Sequence, residues 1–249
     1  MSRSEFPRVF ELIDLIEDRD SPDSYFREFE IRVTQEADMA CAWRARESEF
    51  QRLDNTAWDF LKTEAAPYLT VTNVNGRGWS QLISILNQAR GYNYLAGLGC
   101  TSIKFVPRSI IGGVETPDLE AVLKNREVAC EVKTIGISDD EVDARRYVQA
   151  RETQTEVPTE FLNKLDLTLD KAHRQLLSHR SSEDALRIAF VVINFDDWPG
   201  EHKAAYYEQI DKHLAVGGER SYQIVFFNQK TIFHDSLSMK YAKVVNESR

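Results

Sequence analysis

The run Leu186-Arg-Ile-Ala-Phe-Val-Val-Ile-Asn-Phe195 narrows the choice of fold more than any other stretch of this chain. Apolar residues fill nearly every position instead of alternating. A strand here needs cover on both faces, as central strands have in sheets flanked by helices. The segment before it reads as such a helix, because Leu162, Leu165, Leu169, Ala172 and Leu176 recur at helical spacing and make one apolar stripe. A further helix over 202–216 and a hydrophobic strand over 221–228 repeat the alternation. The pattern predicts an α/β domain built on a central mixed sheet.

Upstream, Thr116 to Thr134 holds two short runs rich in Val, Leu, Ala and Cys around Lys124-Asn125-Arg126, which predicts a tight β-hairpin. With the turn centred on Lys124 and Asn125, antiparallel register sets Asp118 opposite Glu131. Lys133 is two residues further along and shares their face, while Cys130, Val132 and Thr134 point the other way. Glu and Lys are poor strand formers and add nothing to a core, so packing does not account for the group. An edge hairpin carrying charge to discourage pairing is one explanation. A metal site is the other. Asp118 and Glu131 offer hard oxygens to Mg²⁺ or Mn²⁺, and the backbone carbonyl of Val132 is within reach of the same ion. Lys133 then orients a water or counters developing charge.

Pro117-Asp118, twelve intervening residues and Glu131-Val132-Lys133 resemble the signature of the PD-(D/E)xK, or restriction-endonuclease-like, nuclease superfamily. That resemblance implies an αβββαβ core, a divalent metal (Mg²⁺, with Mn²⁺ as a substitute) and a nucleic-acid substrate, DNA ahead of RNA. The predicted order around the motif agrees: a helix from Trp79 to Leu98, a strand from Ser102 to Val106, the hairpin, the helix from Thr159, and the apolar strand. Lys164, Thr168, Lys171 and Gln175 line one flank of the later helix. The resemblance gives Gln175 the role of holding water or phosphate and Lys171 that of adding positive charge; a solvated flank is the competing account. One departure stands out. The helix from Trp79 offers Gln81, Asn87 and Gln88 where many members supply a carboxylate, leaving Glu49 or Glu64 as substitutes. The expected activity is endonuclease-like, metal-dependent phosphodiester hydrolysis. The alternative is a noncatalytic nucleic-acid-binding or protein-interaction member of the same fold.

Residues 1–69 read as a helical extension packed on a nuclease-like domain over 70–249. Trp43, Phe50 and Trp58 sit at spacings that suit a core better than a base-stacking platform. Between 136 and 157, Arg145, Arg146 and Tyr147 suit phosphate and base contacts or an ordinary solvated insertion equally well. Asn73–Gly78 lacks the full phosphate-loop pattern and reads as a turn, and Asp196-Asp197 as a loop cap. His173 and His179 have no cysteine nearby to complete a zinc site and are expected at the surface. A net charge of −9 argues against holding duplex DNA by bulk attraction but leaves room for a local basic groove. Cys41, Cys100 and Cys130 are scattered, and no long apolar run is present. A cytoplasmic protein is expected, with nucleic acid as partner, a homodimer or a defence or repair protein as further candidates, and no membrane.

Overall fold

The computed structural model describes residues 3–70, 79–107, 115–136, 156–179, 182, 184–193, 203–216, 220–228 and 231–237. The chain divides into two compact units, Met1–Gly99 and Cys100–Arg249. The loop at 73–78, Gly112-Gly113, residues 138–155 with Arg145, Arg146 and Tyr147, the Asp196-Asp197 pair and the 239–245 ending lie outside the described residues.

The first unit is helical: α1 (Pro7–Ile13), α2 (Phe29–Gln35), α3 (Ala37–Gln51), α4 (Asn55–Ala65), a 3₁₀ turn over Ala66–Tyr68, and α5 (Ser80–Gly97). Local chemistry sets several of these limits. Pro7 opens α1, where no backbone N–H is required. Asp54 caps α4 by accepting the Ala57 N–H at 2.8 Å. Gly99, at φ 82°, takes the left-handed position just past α5. Phe50 and Trp58 are buried and packed together, and the half-buried Trp43 meets Tyr25, Phe26 and Phe29. These aromatics make the interior of the unit.

Helix α5 groups with the helices before it, so the division falls at Gly99 while the boundary expected near residue 70 lies inside the first unit. Polar pairing explains this. Arg46 Nη2 donates to Asn87 Oδ1 at 2.9 Å, Arg90 Nε donates to Glu49 at 3.1 Å, and Asn93 Nδ2 donates to the Glu49 carbonyl at 2.9 Å.

The second unit runs β1 (Thr101–Phe105), β2 (Leu119–Leu123), β3 (Arg126–Ile135), α6 (Thr159–Ser178), β4 (Leu186–Ile193), α7 (Lys203–Val216), β5 (Gln223–Asn228) and β6 (Thr231–Asp235). Its six strands form one open sheet in sequence order. The β1–β2, β2–β3 and β5–β6 pairs are antiparallel, and β3–β4 and β4–β5 are parallel. The class is therefore α/β with a mixed sheet. Leu123 pairs with Arg126, and Lys124 (φ 49°) and Asn125 (φ 66°) form the two-residue turn that suits the twist of a hairpin.

Parallel strands need a crossover, and α6 supplies the one between β3 and β4. Its stripe of Leu165, Leu169, Ala172 and Leu176 is buried with Ala129 and Ile135 of β3 and with Ala189, Val191 and Ile193 of β4. Alternation along β3 then puts Glu131 and Lys133, which lie between Ala129 and Ile135, on the same helix-covered face. From Ile188 to Ile193 every residue of β4 is buried, as its unbroken apolar sequence requires. Among the described residues no helix is long and apolar enough to cross a membrane.

Candidate active site

Four of the five side chains singled out for catalysis come together where β2, β3 and α6 meet. The hairpin pairs Leu119 with Cys130, and one further step of the same register sets Asp118 beside Glu131. The Asp118 carboxylate is anchored: its Oδ2 accepts the Val132 N–H at 2.8 Å. In a strand, the N–H and C=O of one residue project to the same side, so the Val132 carbonyl lies on the Asp118 side of β3. Two carboxylates and one carbonyl oxygen thus lie on adjacent strands at this register.

Glu131 is 2% exposed. Its Oε1 accepts a hydrogen bond from Lys133 Nζ, and the same ammonium donates to Gln175 Oε1 on α6. Its Oε2 is buried and, among the described residues, has no hydrogen-bond partner. Burial pushes the Glu131 carboxyl up to about 8, the Asp118 charge adds to the rise, and Lys133 opposes it. A buried carboxylate oxygen left without a donor is costly, and such an atom calls for a cation or a proton. Cys130, on the opposite face of β3, is fully buried and its thiol is held well above the usual range, first by burial and then by the same two carboxylates. It is not a nucleophile in this setting.

The donor set fits a hard divalent ion in kind: carboxylate oxygens, a strand carbonyl, and one orphaned buried oxygen. Among the described residues no group of three or more His, Cys, Asp or Glu side chains is placed to hold a metal. Glu49, a substitute for the missing helix carboxylate, is committed to Arg46 and Arg90 within the first unit.

The α6 flank divides by reach. Gln175 meets Lys133, and Lys164 Nζ donates to the Gly136 carbonyl at 3.1 Å just past β3. Thr168 turns its hydroxyl back to the Lys164 carbonyl at 2.7 Å. Lys171 is exposed and shows no hydrogen bond or ion pair among the described residues. The site as built is Asp118, Glu131, Lys133 and Gln175, with Lys171 outside its hydrogen bonds.

Two residues escaped the sequence reading. His179, expected at the surface, has a side chain only 17% exposed, and its Nε2 lies 2.6 Å from Glu120 Oε1. Glu120 also takes Lys104 Nζ at 2.7 Å on its other oxygen. A signal was present: Glu120 follows Asp118 by two and shares its strand face, and His179 follows Gln175 by four and shares its helix face. His173 meets Ser221 at 3.0 Å and stacks on Tyr222, away from this group.

Compared with protein-family models, with curated proteins and with solved structures, the chain finds no match.

Proposed function

We propose that this protein is a metal-dependent nuclease of the PD-(D/E)xK, restriction-endonuclease-like type, hydrolysing phosphodiester bonds of nucleic acid, DNA ahead of RNA. The observation that carries this reading is the buried, unpartnered Oε2 of Glu131 beside Asp118, with Lys133 held across it by Gln175. The strand and helix order α5-β1-β2-β3-α6-β4 supports it further, since the resemblance implies that sequence of elements. Asp118 and Glu131 would hold a divalent ion, which would supply positive charge toward the phosphoryl group and toward the attacking water.

The chain's own groups then have distinct work. Asp118 and Glu131 provide hard oxygens at a fixed separation because the hairpin register sets them opposite one another. The Val132 N–H keeps the Asp118 carboxylate turned toward β3. Lys133 carries its charge to the attacking water or to a non-bridging phosphate oxygen. Gln175 accepts from Lys133 through its carbonyl oxygen, which leaves its NH₂ to donate to the same water or phosphate. Burial strengthens each of these contacts relative to water.

That the described residues bring together no group of three metal-ligating side chains favours a second reading, a noncatalytic nucleic-acid-binding or protein-interaction protein on the same fold. Calorimetry separates them: DNA binding with no uptake of Mg²⁺ or Mn²⁺ selects the second. The deciding assay offers supercoiled, linear and single-stranded DNA and RNA with Mg²⁺ or Mn²⁺, against EDTA and the variants Asp118→Asn and Lys133→Ala. Metal-dependent products lost in both variants are expected. Unchanged cleavage by Asp118→Asn overturns the assignment.

A further inference from the structure

The Glu120–His179 contact ties together the two elements that carry opposite sides of the site. Glu120 lies two residues beyond Asp118 on β2, so the two carboxylates share a strand face. His179 lies one helical turn beyond Gln175 at the end of α6, so imidazole and amide share a helix face. The pair meets at 2.6 Å with little exposure of the imidazole. Lys104, from β1, meets the second oxygen of Glu120 at 2.7 Å and leaves the first to His179.

Neighbouring contacts fasten the same end of α6. Ser178 Oγ donates to the Glu115 carbonyl at 2.7 Å, and the Ser182 N–H donates to Glu127 Oε2 at 2.8 Å. Those two bonds use a backbone atom on one side and hold the same end of α6 independently. Glu120–His179 is different in kind, being a side-chain contact in line with both Asp118 and Gln175. The depth at which α6 sits over β2 and β3 decides whether the Gln175 amide reaches Lys133, and Lys171, one turn earlier on that helix flank, makes no such contact. A gap at this depth therefore costs the site its grip on Lys133.

We infer that Glu120 and His179 are positioning residues of the candidate active site: their contact sets the height of α6 above β2 and so holds Gln175 against Lys133. The inference rests on the nuclease reading for its catalytic consequence, and not for the structural link. Misplacement of a catalytic group by about 1 Å lowers rates steeply, so loss of the contact costs roughly tenfold or more in cleavage.

The test uses the full chain and two readouts. In ¹⁵N-labelled protein, the side-chain NH₂ signals of Gln175 are assigned by their disappearance in Gln175→Ala. They are then followed in Glu120→Gln, His179→Ala and His179→Gln, alongside cleavage and thermal melting. The expected result is that His179→Ala shifts the Gln175 signals and slows cleavage roughly tenfold at a temperature where the variant stays folded. His179→Gln, which returns a donor to the Nε2 position, restores both. Gln175→Ala and the double variant Gln175→Ala/His179→Ala cleave equally slowly, because one change acts through the other. Gln175 signals unmoved in both His179→Ala and Glu120→Gln overturn the inference at any level of activity. A wild-type protein that cuts nothing while the Gln175 signals respond to His179 retains the link and removes the nuclease reading instead.

Discussion

Glu47 in the helical unit and Glu131 in the sheet unit are buried to the same degree, 3% and 2% exposed, and the chain treats them in opposite ways. Glu47 is saturated. Its Oε1 accepts from the Arg8 N–H at 3.2 Å and from Gln51 Nε2 at 2.9 Å, and its Oε2 accepts from the Val9 N–H at 2.9 Å. It therefore satisfies the orphan amides at the start of α1 from a helix almost forty positions away. Glu131 has Lys133 on one oxygen and, among the described residues, no donor on the other. One buried carboxylate is given its donors by the fold, whereas the other is left short of one and so calls for a proton or a cation.

Catalysis separates the two most widely. Glu131→Gln is expected to lower metal-dependent cleavage by about 10²–10³-fold, while Glu47→Gln leaves it within a few-fold when assayed below its melting temperature. Equal losses in the two would dissolve the contrast. Stability comes next and runs the other way: Glu47→Ala strands two helix-start amides and costs about 2–4 kcal/mol by denaturant unfolding, but Glu131→Gln at pH 9 without metal is neutral or stabilising because it removes a buried charge.

Metal addition sharpens the comparison at a smaller scale. Mn²⁺ or Mg²⁺ at a hundredfold excess over its dissociation constant should add about 3 kcal/mol to the stability of the wild type, read as a rise in Tm, and nothing to Glu131→Gln. A rise of the same size in Glu131→Gln would place the ion elsewhere.

Smallest per step is the dependence on pH, which is read one pH unit at a time. The Glu131 carboxyl titrates near 8 in the folded protein and near 4.5 in the unfolded chain. Between those values the native state holds a proton that the unfolded state has released, so metal-free stability falls as pH rises. The contribution is complete below 4.5 and gone above 8, with a limiting slope of about 1.4 kcal/mol per pH unit. Unfolding curves of wild type and Glu131→Gln across this window should converge at low pH and diverge at high pH. Parallel curves would show that Glu131 is ionised throughout.

Much of the site could be read along the chain because it depends on parity. A two-residue turn at Lys124-Asn125 leaves no freedom in which residues face one another, so Asp118, Glu131 and Lys133 follow from counting. The apolar stripe of α6 is a similar case: its spacing selects the buried face and hence the flank bearing Gln175. Counting stops there. Lys171 and Gln175 share that flank, and only the placement of α6 along the strands brings Gln175 to Lys133 and leaves Lys171 in solvent.

The same limit applies to partners distant in sequence. Arg46, Glu49, Asn87, Arg90 and Asn93 look like solvated helix residues one at a time, yet together they draw α5 into the first unit and move the division to Gly99. His179 had no visible partner until Glu120 lay beside it. By itself the sequence determined the α/β alternation, the hairpin register and the three charges on one face, since strand and helix periods act over a few residues. Tertiary structure alone decided which buried carboxylate is satisfied and which is left open, because hydrogen-bond supply depends on donors brought in from elsewhere in the chain.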